Sequence, residues 1–260
     1  TIIIAGGTDV MIKKRNTSNV PPKFEKDAIY ISQLRELNYI KVDNEILRIG
    51  AMTPLTKVLN HPKTPKLLKD AIGVMASPAL RNVATLAGNI GNASPAADSI
   101  PVLSVYDAII TIKSINNERK ENINQVIIGP GQTNIESDEL ITEIAIPLKN
   151  FSKVSFVKVG GRKADAISKI CFAAAIQVDK GTILDFRISI GSVAPRPIRR
   201  KDIEDDIIGG TLESLVMNKS NISRLYEPYI IPITDHRSNK DYLKLVSLNI
   251  IEDFIQSCKE

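Results

Sequence analysis

The sequence predicts an α+β protein of two domains that meet near residue 150, and three observations carry that expectation. Before residue 150, short apolar runs such as "TIIIA", "DAIYIS" and "ILRIGAM" read as strands and are interleaved with segments of helical spacing. After it, "KVSFVKVGGRKADAISKICFAAAIQVDKGTILDFRISIGSVAP" reads as three strands broken by "GGRKAD" and "DKG", the second a hairpin turn. Past Pro197 the pattern turns helical through "DIEDDIIGG", "NKSNISRLYEPYI" and the final "NKDYLKLVSLNIIEDFIQSCK". With 260 residues, 43% of them hydrophobic, the chain can fill the core of one large domain or two ordinary ones.

Each element follows from local chemistry. "TIIIAGGTDVMIKKR" reads as a buried strand, a Gly-Gly turn and a helix start capped by Thr8 or Asp9. "DNE" turns the chain between "YIKV" and "ILRIGAM". From Pro62 to Met75 the residues Leu67, Leu68, Ala71, Ile72 and Met75 recur at helical spacing and give one buried face. "ADSIPVLSVYD" reads as a helix and "AIITIKS" as a strand, and "IIGPGQTNIESDELITEIAIPL" as a Gly-Pro-Gly turn, an acidic loop and a strand that closes at Pro147. In the last helix Tyr242, Leu245, Val246, Leu248, Asn249 and Phe254 sketch an amphipathic face.

Composition excludes several function classes. The longest apolar runs fall far short of the roughly 18 residues a membrane span requires, so no membrane span is expected. No secretory signal is visible, and with only Cys171 and Cys258, far apart, a disulfide scaffold is not expected and a cytoplasmic protein is the default. Neither cysteine has a second Cys or a His at ligand spacing, so no metal site is expected in this chain. The net charge of +5 favours an anionic ligand or partner. Nucleic acid is not expected as a partner, because basic runs stop at "KKR" and "RRK" and only 5% of the residues are aromatic. The histidines, His61 and His236, sit in turn contexts with no nucleophile elbow, and no catalytic acid, base or nucleophile is assigned.

Two glycine-containing segments carry the chemistry. In Ala5-Gly6-Gly7-Thr8-Asp9, glycines permit a sharp turn and unshielded N–H groups, and the following helix start adds a partial positive charge suited to a phosphate. The alternative is an ordinary strand-to-helix turn. In "TLAGNIGNASPAADSIPVL", Thr85, Gly88, Asn89, Gly91, Asn92 and Ser94 read as a concave loop of hydrogen-bonding groups, and Asp98 as an acceptor for a ribose or ribityl hydroxyl. The alternative there is a structural loop capping a helix at Ser94 or Asp98. Neither segment matches the Rossmann or Walker pattern. Two such loops suit one long ligand with a central pyrophosphate, for which a dinucleotide such as FAD is the natural candidate. Lys158, Arg162 and Lys163 form a basic trio that reads either as part of such a site or as a solvated strand edge.

These residues resemble one family: the FAD-binding medium subunit of the molybdenum hydroxylases, which include xanthine dehydrogenase, nicotinate dehydrogenase and aerobic carbon monoxide dehydrogenase with its flavoprotein subunit. "IIAGGTDV" is similar to the family's first flavin loop and "TLAGNIGNASPAADSIPVL" to its second. "GPGQTNIESDELITEIAIP", "FVKVGGRKADAIS", "SIGSVAPRPIRRKDIE" and "DHRSNKDYLK" resemble later signatures, so the likeness spans nearly the whole chain. The resemblance implies a two-lobed, PCMH-like FAD-binding domain over residues 1–150 and a smaller α+β domain over 151–260, with a three-stranded antiparallel sheet and helices. By similarity Ile4, Ala5, Gly6, Gly7, Thr8 and Asp9 surround the pyrophosphate, and Thr85, Gly88, Asn89, Asn92, Ser94 and Asp98 hold the rest of the dinucleotide. Ile141 packs on the flavin side and Lys158 lies close to the ring, where positive charge favours the anionic reduced form.

The resemblance also implies partners: a large subunit carrying molybdopterin and molybdenum, and a small subunit carrying two-iron two-sulfur clusters. Electrons would pass from those clusters through FAD to an acceptor such as NAD or oxygen, since flavin handles both single electrons and hydride. Two departures stand out. The family's strand and helix ahead of "AGGTD" do not appear, so an N-terminal piece is expected to be missing, and Ala87 stands where the family usually has Gly. A self-sufficient flavin-dependent reductase is an alternative that calls for a proton donor beside the flavin, and a non-enzymatic scaffold is an alternative that calls for no tight flavin binding.

Overall fold

The structure, a computed structural model, describes residues 1–15, 20–162, 164–234 and 238–259; Lys163 and His236 lie outside the described residues. The chain divides into two compact units that draw on alternating stretches of sequence. The first takes Thr1–Pro65, Met75–Ser94 and Asp107–Leu148, and the second takes Lys66–Val74, Pro95–Tyr106 and Lys149–Glu260.

In the first unit, antiparallel strands form a sheet in the order Ile40–Asp43, Ile46–Gly50, Leu140–Pro147, Ile109–Lys113, Glu118–Asn122. Leu47 and Ile49, Ile144 and Ile146, and Ile110 and Ile112 each alternate with more polar neighbours and are fully buried. That period of two gives the sheet one apolar face. Helices Leu55–Asn60 and Leu86–Asn92 bury Leu55, Val58, Leu86 and Ile90, each worth about 1.5–3 kcal/mol of apolar transfer. A separate parallel pair joins Ile2–Ile4 to Ala28–Tyr30. The strand expected to be buried at "TIIIA" is buried on one side only: Ile4 is 8% exposed and Ile3 42%. An apolar run of this length reads alike for a strand covered on both faces and for one covered on a single face.

The acidic loop ahead of Leu140–Pro147 is pinned by Arg119. Its guanidinium forks onto Glu139 with both N–O distances at 2.7 Å, and also donates to Glu121 and to the Asn134 carbonyl. The Arg119 hydrogen bonds, helped by the Glu136 backbone N–H, hold the Glu139 carboxyl down at about 2.

In the second unit, the antiparallel sheet runs Lys153–Gly160, Ser168–Asp179, Thr182–Gly191, Ile198–Arg199. The "DKG" hairpin holds as read, with Lys180 and Gly181 both at positive φ, the geometry a two-residue turn demands. The long strand Ser168–Asp179 is buried on both faces. Ile170, Phe172, Ala174 and Ile176 join the core under the C-terminal helices, where Phe254 meets Phe172 and Phe186 at ring centroids of 5.9 and 6.1 Å. The alternate residues Cys171, Ala173 and Ala175 are small and fully buried, on the side taken by helix Ser99–Val105. Helix Lys66–Gly73 packs on the same helix, with Leu67, Leu68, Ala71 and Ile72 fully buried, the face read from their spacing.

Two expectations are corrected here, and one element is added. The sheet has a fourth strand, Ile198–Arg199, too short at two residues to leave a periodic signal. Helix Leu212–Met217 stands between two of the segments read as helical and adds a helix that the sequence reading left unassigned. In the final helix, Lys240–Ser257, the buried face is Leu243, Ser247, Ile250, Ile251, Phe254 and Ile255, whereas Tyr242 and Leu245 are 46% and 60% exposed. The true stripe includes a serine, whose hydroxyl is satisfied by the Leu243 carbonyl, so hydrophobicity alone places it one residue off.

The Arg119–Glu139 fork gives a pH expectation. A carboxyl depressed in the folded chain contributes stability that is complete above its unfolded value of about 4.5 and is lost as pH falls toward about 2. Glu139→Gln is expected to flatten the acid-denaturation curve between those limits, leaving a weaker protein at pH 7; equal pH slopes for the two proteins would show that the fork carries no such linkage.

Candidate functional site

In the first unit, loop and helix are brought together by glycines, of which Gly6 leaves no room for a side chain and Gly88 only tight room. A Cβ on Gly6 would lie 2.0 Å from the Val83 carbonyl oxygen, and one on Gly88 would lie 3.1 Å from Thr85 Oγ1 and 3.6 Å from Ala5 Cβ. Loop Ala5–Asp9 therefore rests on the chain leading into helix Leu86–Asn92. Gly7 sits at φ +71°, which sets the turn before helix Val10–Lys13. Asn92 closes the contact from the far end: its Nδ2 donates to Asp9 Oδ2 at 2.7 Å, and its Oδ1 accepts from Lys13 Nζ.

The segment Thr85–Ser94, expected as a concave loop, is a helix over Leu86–Asn92. Thr85 is its N-cap, with Oγ1 accepting from the Gly88 N–H at 2.9 Å, worth about 1 kcal/mol. Leu86, Ala87 and Ile90 form the buried side. That spacing of one and four outweighs the helix cost of two glycines, the signal a composition-based reading overlooks. Ala87 belongs to this buried side at 7% exposed, so its methyl fills core. The helix ends on Ala93 in the left-handed region at φ 45°, whose carbonyl accepts from Gly131 N–H of the Gly-Pro-Gly turn. Asn89 and Ser94 are half-buried and each has an interaction partner, and Gly91 opens onto free space.

Among the described residues the structure records no acceptor for the backbone N–H groups of Gly6, Gly7, Thr8 and Asp9. Successive unpaired N–H groups through a positive-φ turn form a concavity suited to anionic oxygens. This fits the pyrophosphate of a dinucleotide. Ile141, 6% exposed, stands opposite Ile112 just beyond a register shift between Thr111 and Ile112. It lies three positions before Ile144, so strict alternation would turn it away from the apolar face. The bulge turns it back.

In the second unit, Asp98 and Lys158 form a buried pair. Lys158 Nζ lies 2.7 Å from Asp98 Oδ2 and donates to the Val74 carbonyl at 3.0 Å, with the two side chains 11% and 8% exposed. Ser168 Oγ donates to Asp98 Oδ1, and Cys171 Sγ donates to the Asp98 carbonyl at 3.4 Å. Full burial, reinforced by the Asp98 charge and opposed by Lys158, pushes the Cys171 thiol well up, so it stays protonated. Arg162, expected beside Lys158 in a basic trio, turns onto its own hairpin, donating to the Ala164 and Asp165 carbonyls. His61 is half-buried, with Nδ1 enclosed and unpartnered. No group of His, Cys, Asp and Glu among the described residues is arranged to hold a metal, and no described helix is long and apolar enough to cross a membrane.

Residue reading missed Lys13, the Val83 carbonyl, Ser168, Arg187 and Arg199. Lys13, Ser168, Arg187 and Arg199 stand inside segments already singled out, but nothing in their spacing says what they touch.

Comparison with known proteins now bears on these groups. Residues 1–149 match the family described as the FAD binding domain in molybdopterin dehydrogenase, and residues 155–258 match the CO dehydrogenase flavoprotein C-terminal domain. The nicotinate dehydrogenase FAD-subunit of Eubacterium barkeri is 31% identical over 220 residues, covering 81% of this chain and 72% of that one. The glyceraldehyde dehydrogenase medium chain of Sulfolobus acidocaldarius is 30% identical across 94% of this chain and 85% of its own length. Among solved structures, quinoline 2-oxidoreductase from Pseudomonas putida 86 superposes with a TM-score of 0.86 at 22% identity, covering 98% of this chain and 88% of that chain. Carbon monoxide dehydrogenase from Hydrogenophaga pseudoflava superposes with a TM-score of 0.85 at 22% identity, covering 96% and 86%. These two similarities establish the fold. The family matches place the chain in a family: it belongs to the FAD-binding subunits of the molybdenum hydroxylases.

The two kinds of glycine separate under substitution. Gly6→Ala drives a Cβ into main chain and is expected to destabilise the flavin-free protein by about 2 kcal/mol or more. Gly91→Ala meets nothing within 4 Å in a helix and is expected to stabilise it by about 0.5–1 kcal/mol. Urea denaturation reads both, and a tolerated Gly6→Ala would refute the close approach.

Proposed function

We propose that this member of the molybdenum hydroxylase flavoprotein family serves as the electron-transfer subunit of a multi-subunit cytoplasmic enzyme. Its bound FAD would receive electrons from two-iron two-sulfur clusters on a small partner subunit. Those clusters would be supplied by a molybdopterin centre on a large partner subunit. NAD or oxygen is the proposed acceptor. The observation that carries the reading is the run of unpaired N–H groups from Gly6 to Asp9, held against helix Leu86–Asn92 by glycine contacts and the Asn92 bridge.

Ile4, Ala5, Gly6, Gly7, Thr8 and Asp9 are assigned to the pyrophosphate. Thr85, Gly88, Asn89, Asn92 and Ser94 are assigned to the remaining polar groups of the dinucleotide. Thr85 and Asn92 also hold hydrogen bonds to the helix cap and to Asp9, which supports a role for both in shaping the cradle. Asp98 is assigned to a ribityl or ribose hydroxyl, Ile141 to packing on the flavin side and Lys158 to the ring. Flavin supplies the exchange between one-electron delivery and two-electron transfer when bound. The chain's own residues bind, orient and bias it, and none is assigned a proton-transfer role.

The test is uptake of FAD by the full chain, followed by an equilibrium redox titration of the bound flavin. Lys158→Met removes positive charge and leaves Asp98 unbalanced, so the flavin potential is expected to fall by on the order of tens of millivolts. Asp98→Asn leaves Lys158 unbalanced and is expected to raise it. A wild-type chain that neither retains nor takes up FAD would sink the reading, and shifts of the same sign in both variants would remove Lys158 from its assigned place.

A further inference from the structure

Helix Ser99–Val105 is buried along its whole length, all seven residues of it. A buried helix end leaves carbonyls that water cannot satisfy. Here they are met by arginines. Arg187, 7% exposed, donates Nη1 to the Val105 carbonyl at 2.7 Å while its Nε and Nη2 fork onto Asp185 at 2.7 and 2.9 Å, and the Phe151 ring lies against its guanidinium. Arg199 donates Nη1 to the Ser104 carbonyl while Nε and Nη2 bind Glu204 at 3.1 and 3.0 Å. Glu204 is itself fixed by the Ile188 N–H at 3.0 Å.

Two arginines on different strands thus grip adjacent carbonyls, each guanidinium held in plane by its own carboxylate. A helix rises about 1.5 Å and turns about 100° per residue, so a slip of one residue would break both grips together. At the other end of the same helix stands Asp98, gripped by Lys158 and Ser168. The ion pairs themselves add little net stability, because well-packed hydrophobic residues commonly replace a buried ion pair at no loss; what they fix is the plane of each guanidinium beside its carbonyl.

We infer that Arg187 and Arg199 are positioning residues, which fix the register of helix Ser99–Val105 and through it the placement of Asp98 and its lysine. The inference rests on the FAD-binding reading above, in which Asp98 contacts the dinucleotide.

The test is a double-mutant cycle on the full chain, with the FAD dissociation constant read by flavin fluorescence and folding by thermal denaturation. The clamp is removed without orphaning a charge by Arg199→Met with Glu204→Leu, and Asp98 is neutralised by Asp98→Asn. The clamp variant is expected to fold cooperatively and to bind FAD about tenfold more weakly. In the Asp98→Asn background the same change is expected to cost about twofold or less, because the residue it acts through is already lost. A merely structural clamp would lower the melting temperature and leave the loss equal in both backgrounds, which overturns the inference, as does an unchanged dissociation constant. Should the clamp variant fail to fold, Arg199→Lys, which keeps the charge and loses the fork, is read in the same cycle with an expected loss of about threefold. No FAD uptake by the wild type overturns the proposed function and this inference with it; uptake without coupling overturns the inference alone.

Discussion

A carboxylate on a side chain only 8% exposed must be neutralised where it stands, and neighbouring strands of the second unit do that for Asp98. Lys158 supplies the charge, Ser168 a hydrogen bond, and the thiol of Cys171 closes on the main-chain carbonyl beneath. These partners come from two neighbouring strands, Lys158 pairing with Cys171 in the antiparallel register. Helix Ser99–Val105 must then lie close on that sheet, and the sheet allows it by turning small residues toward it. Gly191, opposite Cys171, has room for no Cβ because Pro101 Cγ would stand 2.9 Å away. The proline is tolerated because it falls in the first turn of its helix, where its missing N–H has no acceptor to lose.

The first unit answers a different demand with the same currency of missing side chains. Gly6 is required by the Val83 main chain and Gly50 by the Leu37 carbonyl, 2.2 Å from where a Cβ would be. Gly7 is required by its φ. Gly91 is required by none of these. Glycine richness in a segment is therefore a mixture of packing, backbone conformation and open approach, and only the last two bear directly on a ligand. The backbone N–H groups of Gly6 to Asp9, for which no acceptor is recorded among the described residues, lie where the first two coincide.

Strong local patterns were legible. Lys66–Gly73 follows from its apolar spacing, and Lys180-Gly181 from the turn chemistry of "DKG". Harder was the helix at Leu86–Asn92, where glycines and asparagines mask a Thr N-cap and a short apolar face. The serine within the buried stripe of the last helix hid its true face for a related reason: a satisfied hydroxyl can sit where the hydropathy pattern wants a leucine. Not legible at all was the assignment of Lys66–Val74 and Pro95–Tyr106 to the compact unit of the later sequence, because tertiary partnership leaves no local trace. The residues of the candidate site came from motif likeness, and their partners, Lys13, Ser168, Arg187 and Arg199, came only from three-dimensional contact.

The pairing of Lys158 changes what its charge can do. A lone ammonium in a site of low polarity would act on a neighbouring ring as a point charge, falling off with distance. Lys158 is instead the positive end of a short dipole, with Asp98 Oδ2 at 2.7 Å and the Val74 carbonyl as a second acceptor. The field of a dipole falls faster than that of a charge and depends on its orientation. Its influence is then set by geometry more than by the presence of the lysine, and a shift of the carboxylate changes both magnitude and direction. Holding such a pair still demands rigid supports at both ends, and a fully buried helix with forked arginines on its last carbonyls is a physical means of supplying one of them.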